Sequence, residues 1–135
     1  MIVGRRALAE TSFGIATIDL ETDELVSLEP GDPLPRTTVP GLALPLLVAA
    51  DTLGPRIVAV VDRKPPLLVS DDAGTTWREA GGGLPAGRTV AIARDHPDLV
   101  LYASETRVYV SEDGGRFWRA LEAELEDIEA VAWEP

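Results

Sequence analysis

A ten-residue segment that occurs twice constrains this chain more than any other feature. Residues 69–78 read VSDDAGTTWR and residues 110–119 read VSEDGGRFWR, so matched positions lie 41 residues apart. The Ser, the second acidic residue, one Gly, the Trp and the final Arg coincide. A period of this length is typical of repeating units of four β-strands. Helical repeats of similar length need apolar residues at i, i+3 and i+4, which are absent here.

Each copy has the composition of a β-hairpin. Strand-forming residues at 67–69 and 108–110 lead into an Asp/Gly turn, and a short aromatic strand follows it. Ser and Asp side chains bond to the backbone of turns, Gly adopts positive φ without a Cβ penalty, and Trp covers the hairpin. These residues are therefore predicted to stabilise a turn: Ser70, Asp72, Gly74 and Trp77 in the first copy, and Ser111, Asp113, Gly115 and Trp118 in the second.

The two segments resemble the Asp-box, or BNR repeat, of sialidase-like and WD40/YVTN/BNR-like β-propellers. The match covers two spans of ten residues, and a looser blade pattern extends over most of the chain. Residues 18–22 are similar to the corresponding turn of YVTN-type or quinoprotein-type blades, without the Ser, Gly and Trp. The resemblance implies that the boxes lie on peripheral turns between strands C and D, opposite the usual substrate entrance, and that the two Trp residues pack between blades. The box therefore does not imply hydrolysis.

The predicted fold is all-β, a single propeller-type domain over residues 1–135 with four antiparallel strands in each blade. Blade 1 lacks strand A and spans about 1–30, with strands at 2–8, 14–20 and 24–28. Blade 2 spans about 44–80 and blade 3 about 88–121, and a lone strand A lies at about 128–134. Residues 121–126 can form either a short helix or an acidic loop.

This strand count predicts how the chain closes. A lone terminal strand and a blade without its first strand leave unpaired edges, and propellers typically need four to eight blades. We therefore predict a homodimer in which strand A of each copy completes blade 1 of the other, giving a six-bladed ring with two-fold symmetry. A nine-bladed trimer, a strained three-bladed monomer and a fragment of a longer chain are the alternatives.

Composition excludes several classes of function. The chain has 12 basic and 23 acidic residues and a net charge of −11, which disfavours nucleic acid and anionic membranes as partners. The absence of cysteine excludes disulfides, thiolate metal sites and a Cys nucleophile. The N-terminal residues contain no apolar stretch typical of secretion or of a membrane span, so a cytoplasmic location is predicted.

No residue pattern indicates catalysis, a metal or a cofactor. His96 lies in a turn composition that needs no ligand, and the acidic pairs of the boxes lack the oxygen spacing of a calcium loop. Tyr102 and Tyr109 lie within predicted strands, where packing explains them. The glycines at 81–83 lack the Lys-Ser/Thr pair of a phosphate loop. The short Arg-containing N-terminal motif of bacterial sialidases is also absent.

The predicted function is a noncatalytic propeller module that assembles with itself and binds a small molecule, glycan or protein. The propeller resemblance places the B–C and D–A connections on one face, around the channel mouth, where loops carry function. Candidates for an anionic ligand there are Arg36, Arg63, Arg88 and Arg107, whose alternative role is as solvated loop charges. The alternative functions are a lectin-like carbohydrate-binding propeller and a sialidase-type glycoside hydrolase.

Overall fold

The computed structural model describes residues 2–135, which form twelve β-strands and no helix. The strands are β1 (Arg6–Thr11), β2 (Gly14–Asp19), β3 (Glu24–Glu29), β4 (Leu47–Leu53), β5 (Arg56–Val61), β6 (Leu67–Ser70), β7 (Arg78–Ala80), β8 (Thr89–Ala93), β9 (His96–Ala103), β10 (Arg107–Ser111), β11 (Arg119–Glu124) and β12 (Ala130–Trp133). The predicted all-β class is confirmed.

The strands make three four-stranded antiparallel sheets, which confirms the predicted number of strands in each unit. Sheet I has the order β12-β1-β2-β3, sheet II β4-β5-β6-β7, and sheet III β8-β9-β10-β11. Strands β12, β8 and β4 hold the same position at one edge of each sheet, and β8 packs beside the other two. The chain order of the sheets is therefore not their spatial order, because sheet III lies between sheets I and II.

Two apolar cores hold the three sheets together. Between sheets I and III, Ala7 and Ile18 pack against Leu101 and Val110. Between sheets II and III, the second core is formed by Val58, Val60, Leu67, Val69, Val90, Ile92, Val100 and Tyr102. Sheet III thus contributes alternate residues to both cores, which explains why all five residues of β8 are buried.

The first sheet is completed by the far end of the chain. Strand β12 pairs antiparallel with β1, with Ala7 opposite Trp133 and Glu10 opposite Ala130. The predicted occupant of this place is the terminal strand of a second copy, whereas in the structure the chain's own β12 fills it. The pairing covers the unpaired edge of β1 within one chain.

Residues 30–46, which we call the strap, connect β3 to β4 and contain no regular secondary structure. The strap must pass from sheet I to sheet II, on the other side of sheet III. It contacts sheet III on the way, where the Thr37 hydroxyl donates to the Val90 carbonyl at 2.8 Å. Val39, Leu42 and Leu44 then pack on the face of sheet II that is turned away from sheet III.

Several predicted boundaries are corrected by the structure. Strand β1 begins at Arg6 rather than at residue 2, because the chain turns at Gly4, where φ is 71°. The helix interpretation of 121–126 is wrong, since β11 continues to Glu124 and pairs there with Arg107. Leu121 is buried while Glu122 is exposed, which is the alternation of a strand.

Candidate functional site

The first repeated turn, between β6 and β7, is held by its own side chains. The Ser70 hydroxyl donates to Asp72 Oδ1 at 2.8 Å and accepts the Gly74 N–H at 2.8 Å. Thr76 donates its N–H to Asp72 Oδ1 and its hydroxyl to Asp72 Oδ2, at 2.8 and 2.6 Å. Gly74 has φ of 94°, a conformation that favours glycine. The two polar side chains therefore satisfy the backbone of the turn.

The second repeated turn, between β10 and β11, has the same arrangement. Ser111 donates to Asp113 Oδ1 at 2.8 Å and accepts the Gly115 N–H at 2.9 Å. The Trp118 indole N–H donates to the Gly115 carbonyl at 2.9 Å. The ring of Trp118 lies 5.8 Å from that of Tyr102 and packs on the core between sheets II and III, while Trp77 packs on the free face of sheet II.

These bonds determine the ionisation of the two carboxyl groups. The Thr76 hydroxyl and N–H and the Ser70 hydroxyl stabilise the charged form of Asp72 and lower its pKa to about 2. Burial works to raise the pKa of Asp113, but hydrogen bonds from the Phe117 N–H and the Ser111 hydroxyl outweigh it and lower the pKa. Both carboxylates are therefore ionised and engaged in hydrogen bonds within their own turns.

The four candidate ligand-binding arginines are distributed over three parts of the chain, and each faces a carboxylate. Arg36 lies on the strap and Arg63 follows β5 of sheet II, while in sheet III Arg88 precedes β8 and Arg107 is the first residue of β10. The ion pairs are Arg36–Glu10 at 2.8 Å, Arg63–Glu79 at 4.0 Å, Arg88–Glu129 at 3.3 Å, Arg88–Glu105 at 3.8 Å and Arg107–Glu124 at 2.7 Å. An anionic ligand at this face would have to compete with these carboxylates.

Several cavities lie instead around Arg94, in the turn after β8. Three cavities of about 370, 540 and 480 Å³ all have this residue in their walls. The first lies between residues 35–38 of the strap and the strands β8 and β12. The second lies between the turns that follow β4 and β8, and the third is beside residues 4–6. Volumes of this size are typical of small-molecule sites.

The Arg94 side chain is fixed although 61% of it is exposed. Its Nη2 donates to Asp51 Oδ2 at 2.5 Å and its Nη1 to the Thr52 carbonyl at 3.0 Å. Asp51 also accepts the Ile92 N–H at 2.8 Å, so that one carboxylate joins β4 to β8. The charge of Arg94 is therefore balanced by Asp51, and its side chain gives the cavities a fixed polar wall.

The aromatic side chain of Trp133 lies beside Arg94 in two of these cavities. Trp133 lines the first and third cavities and donates its indole N–H to the Ala91 carbonyl at 3.0 Å. The Arg5 guanidinium lies 5.9 Å from the centre of the Trp133 ring system and pairs with both oxygens of Asp95, at 3.0 and 2.7 Å. Hydrogen bonding from Arg5 lowers the pKa of Asp95.

Of the four predicted ligand-binding arginines, Arg36 lines the first cavity. Sequence reasoning missed the rest of this site, although the sequence contains one signal for it. Trp133 is the third Trp of the chain and the one outside the repeated segments, so neither turn explains it. The place of Arg94 in the walls of three cavities depends on residues from other sheets, so no local pattern marks it.

The other titratable residues considered from the sequence are Tyr102, Tyr109 and His96, and each packs or forms hydrogen bonds within the fold. The Tyr102 side chain is fully buried, its hydroxyl donates to the Pro85 carbonyl at 2.6 Å, and burial raises its pKa. Tyr109 lies 6.0 Å from it, ring to ring. The Nδ1 of His96 accepts the Asp98 N–H at 3.3 Å. Across residues 2–135 no group of three His, Cys, Asp or Glu residues is arranged to hold a metal ion.

Comparisons with protein-family models, with curated proteins and with solved structures give no match for this chain. None of the described residues form a helix long and apolar enough to cross a bilayer.

Proposed function

We propose that this chain is a noncatalytic binding module of the Asp-box propeller class, whose sheets act as blades and whose ligand binds beside β8 and β12. The observation that carries the proposal is the meeting of three cavities at Arg94 on the row of edge strands. The repeated hydrogen bonding of the two turns supports the assignment of the sheets as blades.

The absence of catalysis is supported by the surroundings of the candidate groups. A tyrosine nucleophile needs a lowered pKa and access to substrate, whereas Tyr102 is buried with a raised pKa. Asp72 and Asp113 serve their own turns. Most charged groups in the cavity walls are held in ion pairs, namely Arg94–Asp51, Arg5–Asp95, Arg36–Glu10 and Arg56–Asp71.

One observation favours a carbohydrate as the ligand. Sugar rings are bound by an aromatic face together with fixed polar groups, and Trp133 beside Arg94 supplies both in the first cavity. The paired charges suit a neutral ligand better than an anion. We therefore propose the lectin-like function as the second candidate.

The ligand site is tested by following the three indole N–H signals in NMR spectra during titration with neutral glycans, anionic glycans and peptides. We expect a ligand to shift the Trp133 signal while the Trp118 signal, held in its turn, stays in place. Arg94→Gln should abolish this shift, and Phe117→Leu should leave it intact because Phe117 is exposed and remote from the cavities. Ligands that shift only Trp77 or Trp118 would overturn the proposed site.

We further propose that two copies can form a ring of six sheets by exchanging β12. The support is the pairing of β12 with β1 and the contact that accompanies it, the Arg5–Asp95 ion pair between sheets I and III. In the exchanged ring β12 stays beside its own β8, so Arg5 of one copy meets Asp95 of the other. Within one closed chain the two residues belong to the same copy.

This difference allows a charge-swap test. Arg5→Asp and Asp95→Arg each place like charges in contact, and both variants should lose stability. If the ring forms, refolding the two variants together gives a heterodimer with both ion pairs restored, and its melting temperature exceeds that of either variant alone. The double variant in one chain is the control, because it restores the pair in either architecture. A mixture no more stable than its components would overturn the exchange.

A further inference from the structure

The strap is longer than the other connections between sheets. The strap has 17 residues, whereas residues 81–88 join sheet II to sheet III and residues 125–129 join sheet III to sheet I. Both shorter links connect neighbouring sheets. The strap connects sheets I and II, which in the structure have sheet III between them.

The strap also touches both sheet faces that lack a neighbouring sheet. On sheet I, a Cβ added to Gly31 would lie only 2.9 Å from Ile15 Cγ1, so the strap backbone rests on this side chain. On sheet II, Val39, Leu42 and Leu44 cover an apolar patch formed by Ala50, Ala59, Val61 and Leu68. In a ring of six sheets these two free faces would pack against each other.

Polar bonds fix the strap between these two ends. Both oxygens of Glu10 accept bonds from Arg36, at 2.8 and 3.0 Å, and Oε1 also accepts the Leu34 N–H at 2.8 Å. The bond from Thr37 to the Val90 carbonyl follows. Hydrogen bonding to Arg36 and burial act in opposite directions on Glu10, and the first prevails, so its pKa is lowered.

We propose that the length of the strap decides whether the chain pairs β1 with its own β12 or exchanges β12 with a second copy, and that in the exchanged form β1–β3 replace the strap on the patch of sheet II. This inference rests on the proposed ring. A strap that spans sheet III lets β1–β3 reach their own β12, so the chain closes on itself. A strap too short to span it leaves β1–β3 on the free face of sheet II, and β12 must come from a second copy.

The physical basis is effective concentration. A linker that spans two sites holds them at a local concentration in the millimolar range, and one that cannot span them reduces it to nearly zero. At micromolar protein the 17-residue strap therefore favours the closed chain. Lengthening it further changes little, because loop closure costs only about 0.6 kcal/mol per doubling of length.

The test removes residues 34–42, which leaves eight strap residues, the same number as in 81–88. We expect the mass measured by light scattering to double from the 14.4 kDa of one chain. The control replaces the same nine residues with Gly and Ser, which keeps the span but removes the bonds and the apolar cover, and it should remain a single chain. A folded species from the deletion with the mass of one shortened chain would overturn the proposal, as would a control that doubles in mass.

A second measurement uses the unaltered chain, in case the deletion variant does not fold. Refolding at high concentration should trap exchanged dimer, which should return to single chains after dilution and incubation. Exchanged dimer that persists at low concentration would overturn the role of the strap while supporting the proposed ring. Failure to obtain dimer from either the deletion or refolding would overturn both.

Discussion

The two repeated turns differ at four positions, and the difference between Thr76 and Phe117 acts on their carboxylates. Thr76 occupies the place that Phe117 holds in the second turn, and both donate a backbone N–H to the Asp. Only Thr76 has a hydroxyl, which adds a bond of 2.6 Å to the other carboxylate oxygen of Asp72. Asp113 instead accepts the Arg116 N–H at 3.1 Å, and it is half-buried, which favours its neutral form. The two turns therefore have similar backbone conformations, but different groups lower the pKa of their carboxyl groups.

The first prediction concerns the acid stability that Asp72 contributes. Its pKa in the folded chain is about 2, below the ordinary value of 3.8, so the contribution is fully present above pH 4 and is lost as the pH falls toward 2. Asp72→Asn should remove this dependence, and Thr76→Val, which keeps the N–H, should raise the Asp72 pKa. NMR titration of the side-chain carboxyl carbon measures it. A midpoint near 3.8 in the unaltered chain would contradict the prediction.

The second prediction concerns Gly87, because the Tyr102 ring fills the space that a side chain at this position would need. An added Cβ would lie 2.2 Å from the Tyr102 hydroxyl oxygen, and that ring is fully buried and bonded to Pro85. Gly87→Ala should therefore destabilise the fold by about 1–3 kcal/mol through overpacking. Gly82→Ala is the matched control, since nothing lies within 4 Å of its added Cβ. Chemical denaturation of the two variants measures the difference, and equal stabilities would contradict the stated cause.

At the scale of single residues, the sequence predicts hydrogen bonds between residues that are close together along the chain. The bonds of the first turn join residues no more than four positions apart, so the residue types predict the turn directly. The bonds around Arg94 reach Asp51, and that of Trp133 reaches Ala91, both more than 40 positions away. Such a site follows from how sheets pack, and one sequence contains no direct signal for that.

Strand β12 is the element on which closure of the chain depends. Val131 is 1% exposed and belongs to the core between sheets I and III, whereas Ala132 lies on the opposite face of the strand and is half-buried in the wall of the first cavity. The lone terminal strand was predictable from its apolar residues. Its partner within the same chain was not, because the prediction counted strands without considering the reach of the strap.

The third prediction uses the two faces of β12. Val131→Asp places an unpaired charge in the core and should abolish cooperative folding, since burying such a group costs several kcal/mol. Ala132→Asp on the cavity side should leave a cooperative transition. Thermal unfolding followed by circular dichroism distinguishes the two variants. If both variants unfold alike, Val131 and Ala132 do not lie on opposite faces of β12 as described.

For the molecule as a whole, the sheets are joined by local ion pairs while the net charge opposes compaction. The pairs Arg5–Asp95 and Arg94–Asp51 each link sheet III to a neighbouring sheet, and most other arginines also face acids. Even so, the chain has a net charge of −11. Exposed pairs contribute about 0–1 kcal/mol each, so long-range repulsion is the larger effect that salt can change.

The fourth prediction follows from this balance. Raising NaCl from low concentration to about 0.5 M shortens the screening length to a few ångströms and suppresses repulsion between distant charges. We expect the melting temperature to rise by a few degrees, because the loss from screened surface pairs is smaller than the relief of repulsion. Replacing the exposed Glu122 and Glu126 with Lys brings the net charge closer to zero and should reduce this increase. A melting temperature that falls with salt would mean that the ion pairs between sheets outweigh the net charge.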